Sequence, residues 1–289
     1  MDYQGDIIRP PSEAHSIILQ VTLGCSHNRC TFCGAYRDKP YRVKPWSVIV
    51  KDIEFARLHC TRHKTLFLAD GDALGMDHGD LLRILKTIQR KLPWIRRVAS
   101  YATAQNVLDK TEEQLRQYAA LGLRRLYLGL ESGHDLTLKK IAKGADSGAM
   151  IKAAQQIKAA GIFLSVTCLL GIAGAQLSSA HAAATAAVLN RMQPNQVAVL
   201  TLMLLANTPL YKQMKNGKYR MPSQKQLFEE LRVLLAGLTF GRTQFQANHA
   251  SNYFSLSGRL PKDKDVLLAT IDDAINGLQE LKPESCRLL

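Results

Sequence analysis

The chain has 289 residues, 46% of them hydrophobic and 21% charged, a composition that excludes wholesale disorder and supplies apolar side chains for a sizeable core. Lys and Arg number 38 against 24 Asp and Glu, a surplus of +14 spread over both halves of the chain. The longest nearly apolar stretch, Ala198 to Ala206, falls far short of the ~20 residues a membrane span needs, and the opening MDYQGDIIRPPSE lacks the basic-then-apolar pattern of a secretory signal. We therefore expect a soluble, cytoplasmic chain whose six cysteines stay reduced and serve as metal ligands or in catalysis, not as a disulfide framework.

Apolar, β-branched runs alternate with segments of helical period from residue 16 to about 240. The first strand is expected over Ser16–Leu23, followed by a cysteine-rich loop and a helix from Trp46 to Cys60. A second strand ends at Ala69, and Leu81, Leu82, Ile84, Leu85, Ile88 and Leu92 then give one apolar helix face. A third strand covers roughly Ile95–Tyr101. Thr111 and Gln114 have the spacing of a capping box for the next helix, which Gly122 stops. The fourth strand is Arg125–Leu130. Met150, Ile151, Ala154 and Ile157 line a helix that ends at Gly161. The fifth strand is Ile162–Leu170, an Ala-rich helix follows, and the sixth strand is near Val197–Leu205. Ser223 and Gln226 start a helix bearing Leu227, Leu231, Leu234 and Leu238. Residues 241–289 read as a polar segment and a last helix, about Lys264–Leu281.

Six strand–helix units without a hairpin signal predict an α/β fold with a parallel sheet and right-handed crossovers. An open doubly wound sheet and a curved, barrel-like one both satisfy the pattern, and both put chemistry at the C-terminal ends of the strands. No internal linker is evident, so the chain reads as one domain, with a core over about 16–240 and an extension over about 241–289.

The loop after the first strand reads GCSHNRCTFCGAY, with Cys25, Cys30 and Cys33 spaced C-x4-C-x2-C. A short loop of this kind can bring three thiolates to one inorganic core, as iron–sulfur clusters require. A cube of four irons so held keeps one iron open to an outside ligand. A zinc site using His27 is the alternative, although zinc loops usually carry two separated ligand pairs. Cys60, Cys168 and Cys286 are scattered, and the first two sit where thiols act as small buried hydrophobes.

This loop, with the aromatic Phe32 before its last cysteine, resembles the radical S-adenosylmethionine (SAM) superfamily, from whose commonest spacing, C-x3-C-x2-C, it departs by one residue. The resemblance extends over about residues 16–211. It implies a partial (β/α)6 TIM-like barrel, a [4Fe-4S] cluster on Cys25, Cys30 and Cys33, and SAM bound to the open iron. Asp70, Gly71 and Asp72, in LADGDAL, resemble the motif that holds the SAM amino group, with Asp72 at the acid position; the same residues also suit a plain Asp-Gly turn. Glu131 and Ser132, in LGLESG, would face the SAM ribose or amino group, or cap the next helix. Gly171, in CLLGIAGA, resembles the glycine motif that meets adenine through backbone. The implied chemistry is reductive cleavage of SAM and hydrogen abstraction from a substrate.

Further along, TLMLLANTPLYKQMKNGKY resembles members related to the oxygen-independent coproporphyrinogen oxidase-like and tRNA-modifying groups, with Asn207 where those carry glycine. Arg37, Lys39, Arg42 and Lys44 are expected near the mouth, where they would hold an anionic substrate or meet a flavodoxin- or ferredoxin-type electron donor, or remain solvated surface. The stretch Phe245–Lys264 gathers Asn248, His249, Ser251, Asn252 and Tyr253. It would either close the mouth, with His249 or Tyr253 as a proton or hydrogen-atom relay, or form a polar loop over the sheet edge. The segment Arg9–Ser12 is expected to cap the barrel bottom. The substrate class stays open between a small molecule and RNA, for which the chain has no dedicated basic arm. A non-enzymatic iron–sulfur or zinc-binding protein is a third reading, but it needs no acids and glycines at successive strand ends.

Overall fold

The computed structural model describes residues 1–239 and 241–288. A short 3-10 turn at Pro11–Glu13 leads into β1 (Ile17–Gln20) and β2 (Thr22–Leu23), with β3 (Arg42–Val43) beyond the cysteine loop. Helix α1 (Trp46–His59) and β4 (Thr65–Ala69) follow, then α2 (His78–Lys91) and β5 (Arg97–Ala102). Next come α3 (Ala104–Leu108), α4 (Glu112–Ala120), β6 (Leu123–Glu131), α5 (Asp135–Lys140) and α6 (Ser147–Ala159). The chain continues through β7 (Phe163–Leu170), α7 (Ser178–Met192), β8 (Gln196–Thr201), α8 (Pro209–Lys215) and α9 (Gln224–Ala236). It ends in β9 (Thr243–Ala247), β10 (Leu256–Leu260) and α10 (Lys264–Ile275).

Eight of the strands form one mostly parallel sheet in the order β1-β4-β5-β6-β7-β8-β9-β10, the mixed α/β class of a partial TIM-like barrel. Two details differ from the sequence expectation. The first strand is broken at Val21, and its second piece, β2, pairs antiparallel with β3 across the cysteine loop. The polar tail also supplies two strands: β9 lies parallel to β8, and β10 returns antiparallel to β9.

The chain divides into two compact units. The first comprises Met1–Asn28, Ala35–Leu128 and Gln155–Leu164. In it the apolar stripe of α2 (Leu81, Ile84, Leu85, Ile88) is buried as its spacing dictates, and full burial of each such side chain contributes about 1.5–3 kcal/mol. The capping box on α4 forms as the sequence implies, Thr111 Oγ1 accepting from Gln114 N. One sheet face packs Phe67, Ala69, Ala99 and Tyr127 together. At the N-terminal ends of β1, β4 and β5 lies a buried polar base. Glu13 accepts two hydrogen bonds from Arg97 Nη2, each 2.9 Å, and one from Tyr127 Oη at 2.6 Å. Ser12 lies against the same tyrosine at 2.7 Å, so the Arg9–Ser12 segment sits at this end of its unit.

The second unit comprises Arg29–Gly34, Gly129–Ala154 and Ser165 onward. Its core includes Leu138, Ile141, Leu169, Ile172, Leu202 and Leu210, with Phe32 of the cysteine loop packed against them. Helix α9 begins at the expected Ser223–Gln226 capping box and buries Leu227, Leu231, Leu234 and Leu235.

Candidate functional site

In the first unit, Cys25 is half-buried and its neighbour Ser26 reaches the end of β4. Val21 N donates to Ala69 O at 2.6 Å and Asp70 N to Thr22 Oγ1 at 3.2 Å, so the turn after β4 is fastened to the strand that delivers the loop. Asp70 is fully buried, its Oδ2 4.0 Å from Lys39 Nζ, and burial raises its pKa against the opposing pull of Lys39. Gly71 must lack a side chain, because a Cβ there would lie 2.5 Å from the Tyr36 ring.

Asp72 is also fully buried. Its Oδ2 accepts from Ser26 Oγ and Asn106 Nδ2, and Asn106 Nδ2 also lies 3.1 Å from Ser26 Oγ. The Tyr41 hydroxyl donates to the Asp72 carbonyl at 3.3 Å. Oδ1 has no hydrogen-bond partner of ordinary geometry, although the Gly75 and Ser26 backbone N–H groups also act on the carboxylate. Desolvation holds the Asp72 pKa above the usual carboxylate range, although Ser26 and Asn106 partly offset it. Asn106, on the short helix α3, escaped the sequence reading, since nothing local marks a lone Asn as reaching a carboxylate 34 residues away.

In the second unit, Cys30 and Cys33 are half-exposed, and Cys33 N closes a turn on Cys30 O at 3.3 Å. Thr31 is held from both sides: its N–H donates to Ile141 O, and its carbonyl accepts from Leu210 N, both at 2.9 Å. Asn207 Nδ2 donates to Gly34 O at 3.1 Å. The ANTPLY segment is therefore what the second half of the cysteine loop is fastened to.

Glu131 ends β6 with a left-handed φ of 61°, and its Oε1 takes Lys143 Nζ at 3.0 Å. Ser132 is fully buried, 2.8 Å from His181 Nδ1, and its Oγ accepts from His134 N at 3.0 Å. The cap expected of this pair is not what forms: the N-cap of α5 is His134, with no side-chain cap, and Ser132 is turned into the protein. His181 Nε2 lies 3.3 Å from Glu230 Oε1, both side chains fully buried. Glu230 also accepts from Gly171 N at 2.8 Å and from Ser178 Oγ. The Gly171 carbonyl accepts from Tyr219 Oη at 2.6 Å. Gly171 therefore has both backbone groups engaged within the chain, and the strand ends after β6 and β7 share one buried polar chain, Ser132–His181–Glu230–Gly171. Sequence reasoning missed His181 and Glu230. Their signal is a polar residue on an otherwise apolar stripe, Glu230 falling among Leu227, Leu231 and Leu234.

The Asn248–Tyr253 cluster is mostly bound up in holding its own strand connection. Thr201 N donates to Ser251 Oγ at 3.2 Å, Thr201 Oγ1 to Asn252 Oδ1 at 2.8 Å, and Asn252 Nδ2 to Val199 O at 2.8 Å. His249 Nδ1 accepts from Ser251 N at 3.1 Å, and burial lowers its pKa, keeping the ring neutral at pH 7. Tyr253 Oη is bonded to Arg287 Nη1 at 2.7 Å, with the guanidinium also stacked on its ring, and burial raises its pKa to about 12. The basic residues after the loop are likewise employed internally. Lys44 is buried against Asp52 and the Asp2 carbonyl, Lys39 binds the Asp6 carbonyl at 2.8 Å, and Arg42 binds Gln4 at 2.8 Å. An open anion site built from these three is not what they form.

The donor set suits an iron–sulfur cluster: three partly exposed cysteines, none in a disulfide, within nine residues, soft ligands that need only each reach a separate iron. Among the described residues, no three His, Cys, Asp or Glu side chains are gathered tightly enough to hold a single metal ion. The buried, unbonded Asp72 Oδ1 suits an ammonium, which is donor only. Among the described residues, no helix is long and apolar enough to cross a membrane.

A family model described as the radical SAM superfamily matches residues 19–183. Heme chaperone HemW of Bacillus subtilis is 22% identical over 204 residues, 66% of this chain and 53% of that protein. The 4′-phospho-dehydrooxetanocin synthase of Priestia megaterium is 26% identical over 172 residues, 52% of this chain and 23% of that protein. The chain thus spans about half or less of the length of these relatives. Among solved structures, coproporphyrinogen III oxidase (HemN) from Escherichia coli, a radical SAM enzyme, superposes with a TM-score of 0.58 at 15% identity, over 76% of this chain and 51% of that one. The radical SAM methyltransferase TsrM from Kitasatospora setae, with cobalamin and a [4Fe-4S] cluster bound, gives 0.55 at 16% identity, over 68% and 38%. At these identities the structural likeness speaks for the fold.

Proposed function

The chain belongs to the radical SAM superfamily, and from that membership we propose that it is an enzyme that cleaves SAM reductively and starts hydrogen-abstraction chemistry on a substrate. The observation that carries the reading is the loop of three partly exposed cysteines, Cys25, Cys30 and Cys33, spaced C-x4-C-x2-C inside the matched region. These thiolates would hold a [4Fe-4S] cluster. When bound, the cluster and SAM supply one-electron cleavage of the sulfonium and a carbon radical able to take a hydrogen atom.

The chain's own residues then bind and orient. Asp72, with Oδ1 unbonded and its pKa raised by burial, accepts the SAM ammonium, and the cation opposes the shift that burial imposes. Ser26 and Asn106 fix the carboxylate plane through Oδ2. The Glu131–Lys143 pair offers the ribose hydroxyls an acceptor and a donor side by side. Glu230 and His181 act one layer further out, holding the backbone at Gly171 and the Ser132 hydroxyl in place. His249 and Tyr253 are bonded to Ser251 and Arg287, which supports a covering role over a relay. A one-electron donor is the partner this reading requires.

The test is anaerobic reconstitution with iron and sulfide, then dithionite and SAM. The expected product is 5′-deoxyadenosine, and Cys30→Ala should remove both the cluster absorbance and the product. A reconstituted cluster that never cleaves SAM would overturn the reading.

A further inference from the structure

We propose that Asn207 is a positioning residue for the cluster: it locks the peptide following Cys33 and so sets where the Cys30 and Cys33 thiols stand. The inference rests on reading those cysteines as cluster ligands. The segment Arg29–Gly34 is six residues of irregular backbone, and its position is imposed by what it touches. Beside Cys30, Thr31 is gripped through its N–H by Ile141 and through its carbonyl by Leu210, while Phe32 packs into the Leu138–Ile141–Leu210 core. Beside Cys33, the corresponding grip is the side-chain amide of Asn207 on the Gly34 carbonyl.

Asn207 is itself presented by a preorganised turn. Thr208 is fully buried and caps α8, its hydroxyl accepting from Tyr211 N at 3.3 Å and donating to Leu205 O at 2.7 Å. Thr208 N also donates to Leu205 O, at 3.0 Å, and Leu210 is buried one residue into the helix. The fit between the two partners is tight in both senses. A Cβ on Gly34 would stand 2.4 Å from Asn207 Oδ1 and 2.8 Å from a Leu205 methyl, so glycine at 34 and asparagine at 207 are mutually specified. A metal ligand is only as well placed as the groups that hold its backbone, and loss of such outer partners weakens metal binding by about 10–100-fold. Here the lock is a single neutral hydrogen bond at a largely exposed side chain, so the effect belongs at the low end of that range.

The experiment uses the full chain, reconstituted anaerobically, and follows cluster loss to a chelator together with the thermal midpoint of the cluster-free chain. Asn207→Asp turns a carboxylate on the Gly34 carbonyl, two acceptors face to face. It should release the cluster about 10-fold faster than the parent, with Asn207→Ala intermediate and the cluster-free midpoint unchanged. Gly34→Ala should lose the cluster similarly, because its Cβ would displace the Asn207 side chain from the Gly34 carbonyl. Parent-like retention in Asn207→Asp, or a cluster-free midpoint that falls in step with the loss, would overturn the proposal. Cys30→Ala is the separate control. If that variant keeps its cluster, the underlying ligand assignment falls; if it loses the cluster while Asn207→Asp does not, only the role of Asn207 falls.

Discussion

Asp72 holds a full burial cost that its neighbours only partly repay. One carboxylate oxygen is met by Ser26 and Asn106, the other by nothing of ordinary geometry, and burial keeps the pKa raised. An acid whose native pKa is raised binds its proton more tightly folded than unfolded. Its stabilising protonated form is fully present below the unfolded value near 4, and that contribution is lost as pH rises through the raised native value. The burial cost of the charged form therefore grows as pH rises from the unfolded value toward the raised native one. Asp72→Asn keeps an oxygen for Ser26 and Asn106 and removes the charge. The cluster-free chain should gain on the order of 1 kcal/mol at pH 7, and the gain should shrink toward pH 4. SAM binding should weaken in the same variant, the trade expected where a site keeps an acid at the expense of stability. Urea unfolding at the two pH values, with SAM titration alongside, checks it; an Asn variant less stable than the parent at pH 7 would sink the argument.

Between elements, the second unit is fastened by Glu230 of α9. Its carboxylate reaches the turn after β7 through Gly171 N, the start of α7 through Ser178, and the middle of its first turns through His181. Glu230→Ala would orphan these buried groups together and should cost about 3 kcal/mol, read as a lowered denaturant midpoint at unchanged m-value. Glu230→Gln, which keeps an acceptor for Gly171, should cost clearly less. Equal losses would mean that the charge, not the hydrogen bonding, holds these elements. This network also marks the limit of what could be read from sequence. The βα alternation, the Thr111 and Ser223 capping boxes and the apolar stripe of α2 were legible because each is encoded within a few residues. The thiol loop and the acids after β4 were legible for the same reason. Ser132, His181 and Glu230 lie 49 residues apart in turn, so only the fold brings them together. Lys44 misled in the same way: its burial follows from Asp52 and the Asp2 carbonyl, and a lysine in the basic stretch after the cysteine loop otherwise looks like surface.

For the molecule as a whole, the sheet does not end at the sixth repeat. Thr243–Ala247 alternates buried and exposed positions, with Phe245 fully buried and paired opposite Val197 of β8, and Leu256–Leu260 then closes the edge antiparallel. Such five-residue strands carry too little periodicity to outweigh the Asn, Ser and Gln around them, which is why this tail read as loop. Its position makes it more than a cover. Without it, β8 would present an unpaired edge bearing Val197 and Val199, both fully buried in the intact chain, and Leu227 and Leu231 of α9 would lose the neighbouring Ala247 and Phe254. Removing residues 241–289 should therefore yield a chain that associates through that edge, eluting in size-exclusion chromatography as oligomers or aggregate, even though Cys25, Cys30, Cys33 and Asp72 are retained. A substitution aimed at the same edge gives a graded version. Phe245→Ala should cost about 3–5 kcal/mol while leaving the chain monomeric below its transition. A monomeric truncated chain with a parent-like melting profile would show that the six-repeat sheet is self-sufficient, and that β9 and β10 are accessory to it.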